Sequence, residues 1–474
     1  MPKCHWPTYP YEQPGHWHFR NGPPRGLLGF LLIRKNYCCI FHITFVAKPK
    51  SAGYPGFVKP YEPRLIDALI ERKLRSAGAV VLRGPRAVGK TTSALRHAAS
   101  SVRLDQRKDL IDAAELMPAT LLAGPVPRLV DEWQLAPSIW NSIRAEIDAR
   151  GLPGQFILTG SAAPVEDKTR HSGAGRMARL TLRPMTLFEQ GKTTGQVRFA
   201  NLFTRGTTVE GMGGADIPAY ARLIVKGGWP AWHGLDIAVA MDALRDYVDN
   251  ITDVDLRSLE GRSEPVRMAA LLRSLARNIS TEASLEKLAA ESEIPSGSLS
   301  TPTVRKYLDQ LTRIFVLEEL PAWRPHIRSS IRARVKPKWH FVDPSLATAA
   351  LGVSPDGLLE DLNTMGLLFE SLAVRDLRVY ADGADAGVFH YRDSTDLEID
   401  AIVERRDGGW IAVEMKLGGE RAVAEAVTNL GKLRSRLTEP KLAQLASLCV
   451  ITGGQISFTR PDGIHVIALA HLRP

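Results

Sequence analysis

The chain has 474 residues, 44% hydrophobic and 24% charged, which is the composition of an ordinary globular protein with room for two to four domains. Its net charge of +10 suggests a polyanion-binding body, but eight of the 61 Lys and Arg and only Glu12 among the acids lie in residues 1–60, leaving 53 bases against 50 acids beyond. A uniformly basic protein is thereby excluded. So are a disulfide scaffold and a Cys/His zinc site, because Cys4, Cys38 and Cys39 sit in that first segment, only Cys449 lies beyond it, and no CxxC spacing occurs.

Residues 1–60 are rich in Pro, His and aromatics and lack helical periodicity. Their apolar runs, Leu27 to Ile33 and Tyr37 to Val46, are split by Arg34-Lys35-Asn36. Each falls short of the roughly 18 apolar residues that span a bilayer, and no signal-peptide cleavage pattern follows. The segment reads as a disordered basic extension, of the kind a misplaced upstream start would add. The domain proper begins near Tyr61-Glu62-Pro63-Arg64. No membrane partner and a cytoplasmic setting are expected.

Ala79-Val80-Val81-Leu82 predicts a buried strand. It runs into Gly84-Pro85-Arg86-Ala87-Val88-Gly89-Lys90-Thr91, a GxxxxGK[ST] loop, and Thr92 to Ala99 then reads as a helix. Glycines let such a loop turn its N–H groups inward onto phosphate oxygens. Lys90 reaches the β- and γ-phosphates and the Thr91 hydroxyl suits Mg²⁺, so ATP with Mg²⁺ is the expected ligand, bound over residues 84–92. Val102 to Asp105 gives a second strand. Arg128-Leu129-Val130 gives a third, ending in Asp131-Glu132. Asp131 is placed to hold Mg²⁺ and Glu132 to polarise the attacking water. Phe156-Ile157-Leu158 is the candidate strand separating these two motif strands in space, its end (Thr159-Gly160-Ser161) offering a hydroxyl to the γ-phosphate. Gly173-Ala174-Gly175-Arg176 and Arg179 then suggest a loop delivering a guanidinium to transition-state charge, with Arg176 first.

The runs GPRAVGKT, LVDEWQLAP, FILTGSA and GRMARLTLRPMTLFE together resemble the bacterial and archaeal AAA-type ATPases whose C-terminal half is the DUF4143 domain, over roughly residues 61–474. The resemblance implies an ASCE-type P-loop ATPase with Lys90, Thr91, Asp131 and Glu132 in their usual roles. It also implies a homo-oligomer in which Arg176 serves a neighbouring subunit or its own.

Farther along, apolar spacing predicts helices over Ala238 to Asp249 and Val266 to Asn278. Leu285 to Glu291, a turn at Ile294 to Gly297, and Thr303 to Leu311 make a helix–turn–helix, with Pro302 in the first turn of its second helix. The strand Ile314 to Leu320 and the bases Arg324, Arg328, Arg332, Arg334, Lys336 and Lys338 complete a winged-helix layout, with Arg305 and Lys306 on the recognition helix and DNA as the expected partner. In the last region, Leu397 to Glu404 and Trp410 to Met415 flank a turn, and a hairpin centred on Asp407 sets Asp400 opposite Glu414. Lys416 shares a face with Glu414, and Glu370 lies on a preceding helix. Glu370, Asp400, Glu414 and Lys416 resemble the PD-(D/E)XK nuclease core, whose carboxylates bind Mg²⁺ and whose lysine stabilises charge on the attacked phosphate.

The expected architecture is thus α/β: an extension (1–60), a P-loop ATPase domain with a parallel sheet (61–238), a helical and winged-helix region (239–345), and a nuclease-like α/β domain (346–474). The expected function is an ATPase that couples nucleotide state to a nuclease-like, DNA-binding end. The alternative is an ATP-gated switch that binds a protein partner through an inactive nuclease fold.

Overall fold

The computed structural model describes residues 61–160, 173–252, 264–295, 297–324 and 336–474. The extension, Ser161 and the arginines Arg328, Arg332 and Arg334 lie outside these.

The first layer is a five-stranded parallel sheet. After helix α1 (Ile66–Leu74) come β1 (Ala79–Arg83), α2 (Lys90–His97), β2 (Ser100–Arg103), α3 (Lys108–Leu116), α4 (Pro118–Leu122), β3 (Arg128–Asp131), α5 (Ile139–Arg150), β4 (Phe156–Gly160) and β5 (Met177–Thr181). The spatial order is β2-β3-β4-β1-β5, all neighbours parallel. β4 therefore separates the strand of the phosphate loop from the strand ending in Asp131, as the additional-strand arrangement requires. The short, wholly apolar cores of β1 and β4 are covered on both faces, which is why they show no alternation. One face packs Ala79, Val81 and Leu158 on Trp140 and Ile143 of α5, while the other sets Leu82 and Ile157 against α1 and α2.

The chain then leaves this sheet earlier than expected. β6 (Val197–Arg198) pairs with the last strand of the protein, and β7 (Glu210–Met212) forms one edge of a second, seven-stranded sheet. Residues 197–212 thus belong with the C-terminal layer, so 238 does not divide the two. Sequence alone could not locate this exchange, since two- and three-residue strands leave no period to read.

Between the sheets lie α6 (Ile217–Lys226), α7 (Ile237–Asn250), α8 (Pro265–Arg277), α9 (Leu285–Glu291), the two-residue strands β8 (Glu293–Ile294) and β9 (Gly297–Ser298), and α10 (Thr301–Arg313). Ser284 and Ser300 cap α9 and α10 by accepting from Lys287 N and Thr303 N. β10 (Leu317–Leu320) and β11 (Lys338–Phe341) pair antiparallel. Ser280 N donates to the Trp339 carbonyl and Trp339 N to that of Thr281, so the segment between α8 and α9 joins the same ladder.

The C-terminal layer follows α11 (Pro344–Leu351), α12 (Pro355–Glu360) and the 22-residue α13 (Leu362–Gly383). Its sheet combines β7 with β12 (Ala386–Arg392), β13 (Glu398–Arg405), β14 (Trp410–Lys416), β15 (Leu445–Thr452), β16 (Ile456–Thr459) and β17 (His465–Ala468), with α14 (Glu420–Arg436) and α15 (Glu439–Leu442) between β14 and β15; β18 (Leu472–Arg473) pairs separately with β6. No helix among the described residues is long and apolar enough to cross a membrane.

Candidate functional site

The phosphate loop owes its shape to two glycines. A Cβ on Gly84 would lie 2.2 Å from the Leu182 carbonyl, and Gly89 starts α2 at φ +96°, a conformation that side chains rarely adopt. Lys90, at the helix start, is buried. Its Nζ donates to the carbonyls of Gly84 (3.0 Å) and Pro85 (2.7 Å), which curls the ammonium back over the loop. The Thr91 hydroxyl donates to Asp131 Oδ1 at 2.9 Å, and Thr159 Oγ1 donates to that same oxygen. Thr91 and Asp131 thus face one another as two hard oxygen donors. They fit Mg²⁺, which takes one or two protein oxygens and completes its shell with water and phosphate.

Glu132 adopts φ +54°, unusual for a residue with a side chain, and its carboxylate accepts from Gln134 Nε2. It stands one residue past the Mg²⁺ candidate at the sheet edge where the phosphate loop opens. Thr159 departs from the expected sensor role by turning its hydroxyl to Asp131.

Arg176 requires a larger correction. Met177 is in register with Ala79, and Ala79 N donates to the Arg176 carbonyl, so Arg176 sits at the start of β1's neighbour rather than near its end. It lies six residues of strand from the level of Gly84, roughly 20 Å at 3.3 Å per residue. Its Nε pairs with Asp148 at 2.5 Å. Gly173 to Arg176 form the turn that opens the edge strand β5 at the end of the sheet opposite the phosphate loop, so Arg176 does not reach the loop of its own chain. Arg179 lies exposed on the same strand.

The arginines that do approach the loop were not singled out from sequence. Buried Arg64 donates to the carbonyls of Val88 (3.1 Å) and Arg183 (2.7 Å) and pairs with Glu189 at 3.0 Å. Arg183 in turn meets Glu318 of β10 (3.0 Å) and Asp382 at the end of α13 (2.8 Å). Arg378 of α13 closes onto the other side of Glu318. Burial would raise the Glu318 pKa, but the two guanidinium groups outweigh it and hold the carboxylate at about 2. An open cavity of about 500 Å³ lies against this junction, lined by Arg83, Arg183, Phe315, Glu318 and Arg378.

At the far end, Ala401 opposite Val413 sets Asp400 across from Glu414, the predicted symmetry about Asp407. Glu370, Asp400, Glu414 and Lys416 do come together. Lys416 Nζ lies 2.8 Å from Glu414 Oε2 and 3.5 Å from Asp400 Oδ2, and Met415 N donates to Asp400 at 2.7 Å. The unexpected member is Lys338. Expected on a DNA-facing hairpin, it is instead buried, with Nζ 2.9 Å from Glu370 Oε1, 2.7 Å from Glu398 Oε1 and 3.8 Å from Asp400 Oδ1.

Proton affinities follow from this crowding. Burial, then the neighbouring Asp400, pushes Glu414 up to about 9. Burial raises Glu370 to about 8 against the pull of Lys338. For Asp400 burial is outweighed by Lys338 and Lys416, and its pKa falls. As arranged, the cluster does not fit a divalent cation. Oxygens of Glu370, Asp400 and Glu414 are already engaged by two ammonium groups, which leaves Glu414 Oε1 buried without a hydrogen-bond partner, and among the described residues no three His, Cys, Asp or Glu side chains are grouped to hold a metal.

On α10, Arg305 and Lys306 are exposed, as expected, beside an open groove that also includes Thr301, Pro302 and Asp309.

Comparison with known proteins matches this layout. Residues 76–190 match a family model described as an AAA domain, 217–357 one described as a domain of unknown function (DUF8612), and 365–472 a second, DUF4143. The uncharacterized proteins Mb2031c of Mycobacterium bovis and Rv2008c of Mycobacterium tuberculosis are each 26% identical over 413 residues, 85% of this chain and 82% of theirs. A solved structure described as the Walker-type ATPase PABY2304 of Pyrococcus abyssi is similar with a TM-score of 0.36 and 14% identity, over 60% of this chain and 94% of that one.

Proposed function

We propose that this chain, which carries an AAA domain and a C-terminal DUF4143 domain, uses ATP binding and hydrolysis to change how its middle and C-terminal domains engage DNA. ATP binding itself follows from the AAA domain. The coupling is our reading, and the Arg64–Arg183 relay carries it. One guanidinium grips the Val88 carbonyl inside the phosphate loop and the backbone of Arg183, whose side chain spans β10 and α13. A loop that closes on phosphate shifts the acceptor that Arg64 holds, and the shift is delivered to both far domains.

In the ATPase step, Lys90 would leave the Gly84 and Pro85 carbonyls for the more negative phosphate oxygens, and Glu132 would orient the attacking water. Thr91 and Asp131 are the residues that would hold Mg²⁺, which when bound neutralises phosphate charge. Arg176 lies at the opposite end of its own sheet from the phosphate loop, so as an arginine finger it would serve the nucleotide of another copy. The ladder joining residues 280–281, β11 and β10 behind α10 supports the winged-helix reading, and Arg305 and Lys306 supply phosphate contacts.

The test is ATP hydrolysis by the wild type and Lys90→Ala, each with and without duplex DNA. DNA should raise the wild-type rate several-fold and leave Lys90→Ala at background. Equal rates in all four conditions would overturn the proposal. A second reading, a switch whose C-terminal fold binds without cutting, is favoured by Lys338 lying among the carboxylates.

A further inference from the structure

Lys338 reaches the carboxylate cluster from outside it. The residue belongs to β11, within the 217–357 match, whereas Glu370, Glu398, Asp400 and Glu414 all lie in the 365–472 match. Its ammonium is enclosed, with the side chain 2% exposed, and three carboxylates from α13 and β13 converge on it within 3.8 Å. Lys416 neutralises the opposite side through Glu414 and Asp400.

Mg²⁺ demands oxygens at about 2.0–2.1 Å in near-octahedral array. To enter, it would have to displace a buried ammonium that lies within 3.8 Å of three acid groups. A lysine ammonium offers one positive charge and three donors in a fixed place, which is the charge and directionality that converging carboxylate oxygens require.

We propose that Lys338 is a built-in substitute for a divalent cation: the ammonium of the wing strand occupies the centre of the carboxylate cluster, fastens the middle domain to the C-terminal domain, and makes the latter a metal-independent fold. From the reading above the proposal takes only the nuclease-like resemblance of this domain. It takes nothing from the ATPase coupling, so DNA-stimulated hydrolysis can fail or succeed independently of it.

The experiment is a Mn²⁺ titration of the full chain without nucleotide, reading free Mn²⁺ by its paramagnetic resonance signal and unfolding by Tm. The wild type should bind no Mn²⁺ that is lost on Asp400→Asn, with or without duplex DNA. Lys338→Met, which keeps the length of the side chain and removes its charge, should gain one bound Mn²⁺ and a Tm that rises by several degrees as Mn²⁺ is added. Adding Asp400→Asn to that variant should abolish both gains. The inference is overturned if the wild type binds one Mn²⁺ equivalent that Asp400→Asn removes, or if folded Lys338→Met gains none. Should Lys338→Met not fold, the wild-type and Asp400→Asn titrations still decide, and Lys338→Gln repeats the gain test with a polar replacement.

Discussion

Two buried lysines, Lys90 and Lys338, sit in different company. Lys90 donates to the carbonyls of Gly84 and Pro85 in its own loop, whereas Lys338 lies among the acid groups of Glu370, Glu398 and Asp400, carried by other elements. Both sets of bonds are charge-assisted, because the donor in each is an ammonium, but the acceptors of Lys338 are buried acid groups fixed on other elements. Burial and residue type are the same in both places. The place of the acceptors separates them: Lys90 folds back on a carbonyl six residues away, and Lys338 reaches a carboxyl group 32 residues away.

The largest test of that contrast is on hydrolysis. Removing Lys90 takes away a donor to developing phosphate charge, so Lys90→Ala should lose roughly 10²–10³ in kcat, the usual cost of one such group. Lys338→Met should keep ATPase within a few-fold. Steady-state phosphate release measures both, and comparable losses would break the contrast.

A smaller effect is expected at the junction that ties the two regions together. Arg183→Ala leaves Glu318 and Asp382 short of a partner at a site still slightly open to solvent. The expected loss is about 2–3 kcal/mol, below the ~3–5 kcal/mol of a fully buried broken pair. Urea unfolding reads it. The same variant should separate DNA from ATPase stimulation, whereas an intact stimulation would remove the relay from the path.

The finest distinction is in pH. Glu370 and Glu414 have folded pKa values near 8 and 9 against an ordinary 4.5, so each binds its proton more tightly in the folded state. Their contribution to stability is complete below about pH 4.5 and is lost as pH rises through those folded values. Stability should therefore fall between about pH 5 and 9, and Glu414→Gln, neutral throughout, should flatten that decline. A slope unchanged by Glu414→Gln would show that the cluster is not crowded with acid.

Local chemistry made much of this readable in advance. The loop from Gly84 to Thr91, the acid at the end of β3 and the inserted strand β4 follow from motif and apolar run. Asp400 and Glu414 were paired by counting outward from Asp407, since hairpin register depends only on the turn. The misses are charged residues whose partners lie far along the chain. Arg183 and Glu318 are 135 residues apart, Arg64 and Glu189 125, and Lys338 and Glu370 32. A lysine in a basic run looks the same in sequence whether it faces water or a buried carboxylate. Arg176 failed for a related reason: Gly173 to Arg179 has the composition of a loop, and only its pairing with β1 turns part of it into strand.

One helix gathers these long-range contacts. α13 carries Glu370 in the carboxylate cluster, Asp376 accepting from Leu187 N, Arg378 on Glu318, and Asp382 on Arg183. Arg378 lies eight residues beyond Glu370, about 12 Å of axis at 1.5 Å each. Such a rod works as a lever arm. A tilt of about 5° pivoting at Arg378 would carry Glu370 through about 1 Å, a third of the length of its bond to Lys338. No flexible linker is needed, because a stroke of that size is already a large fraction of a hydrogen-bond length.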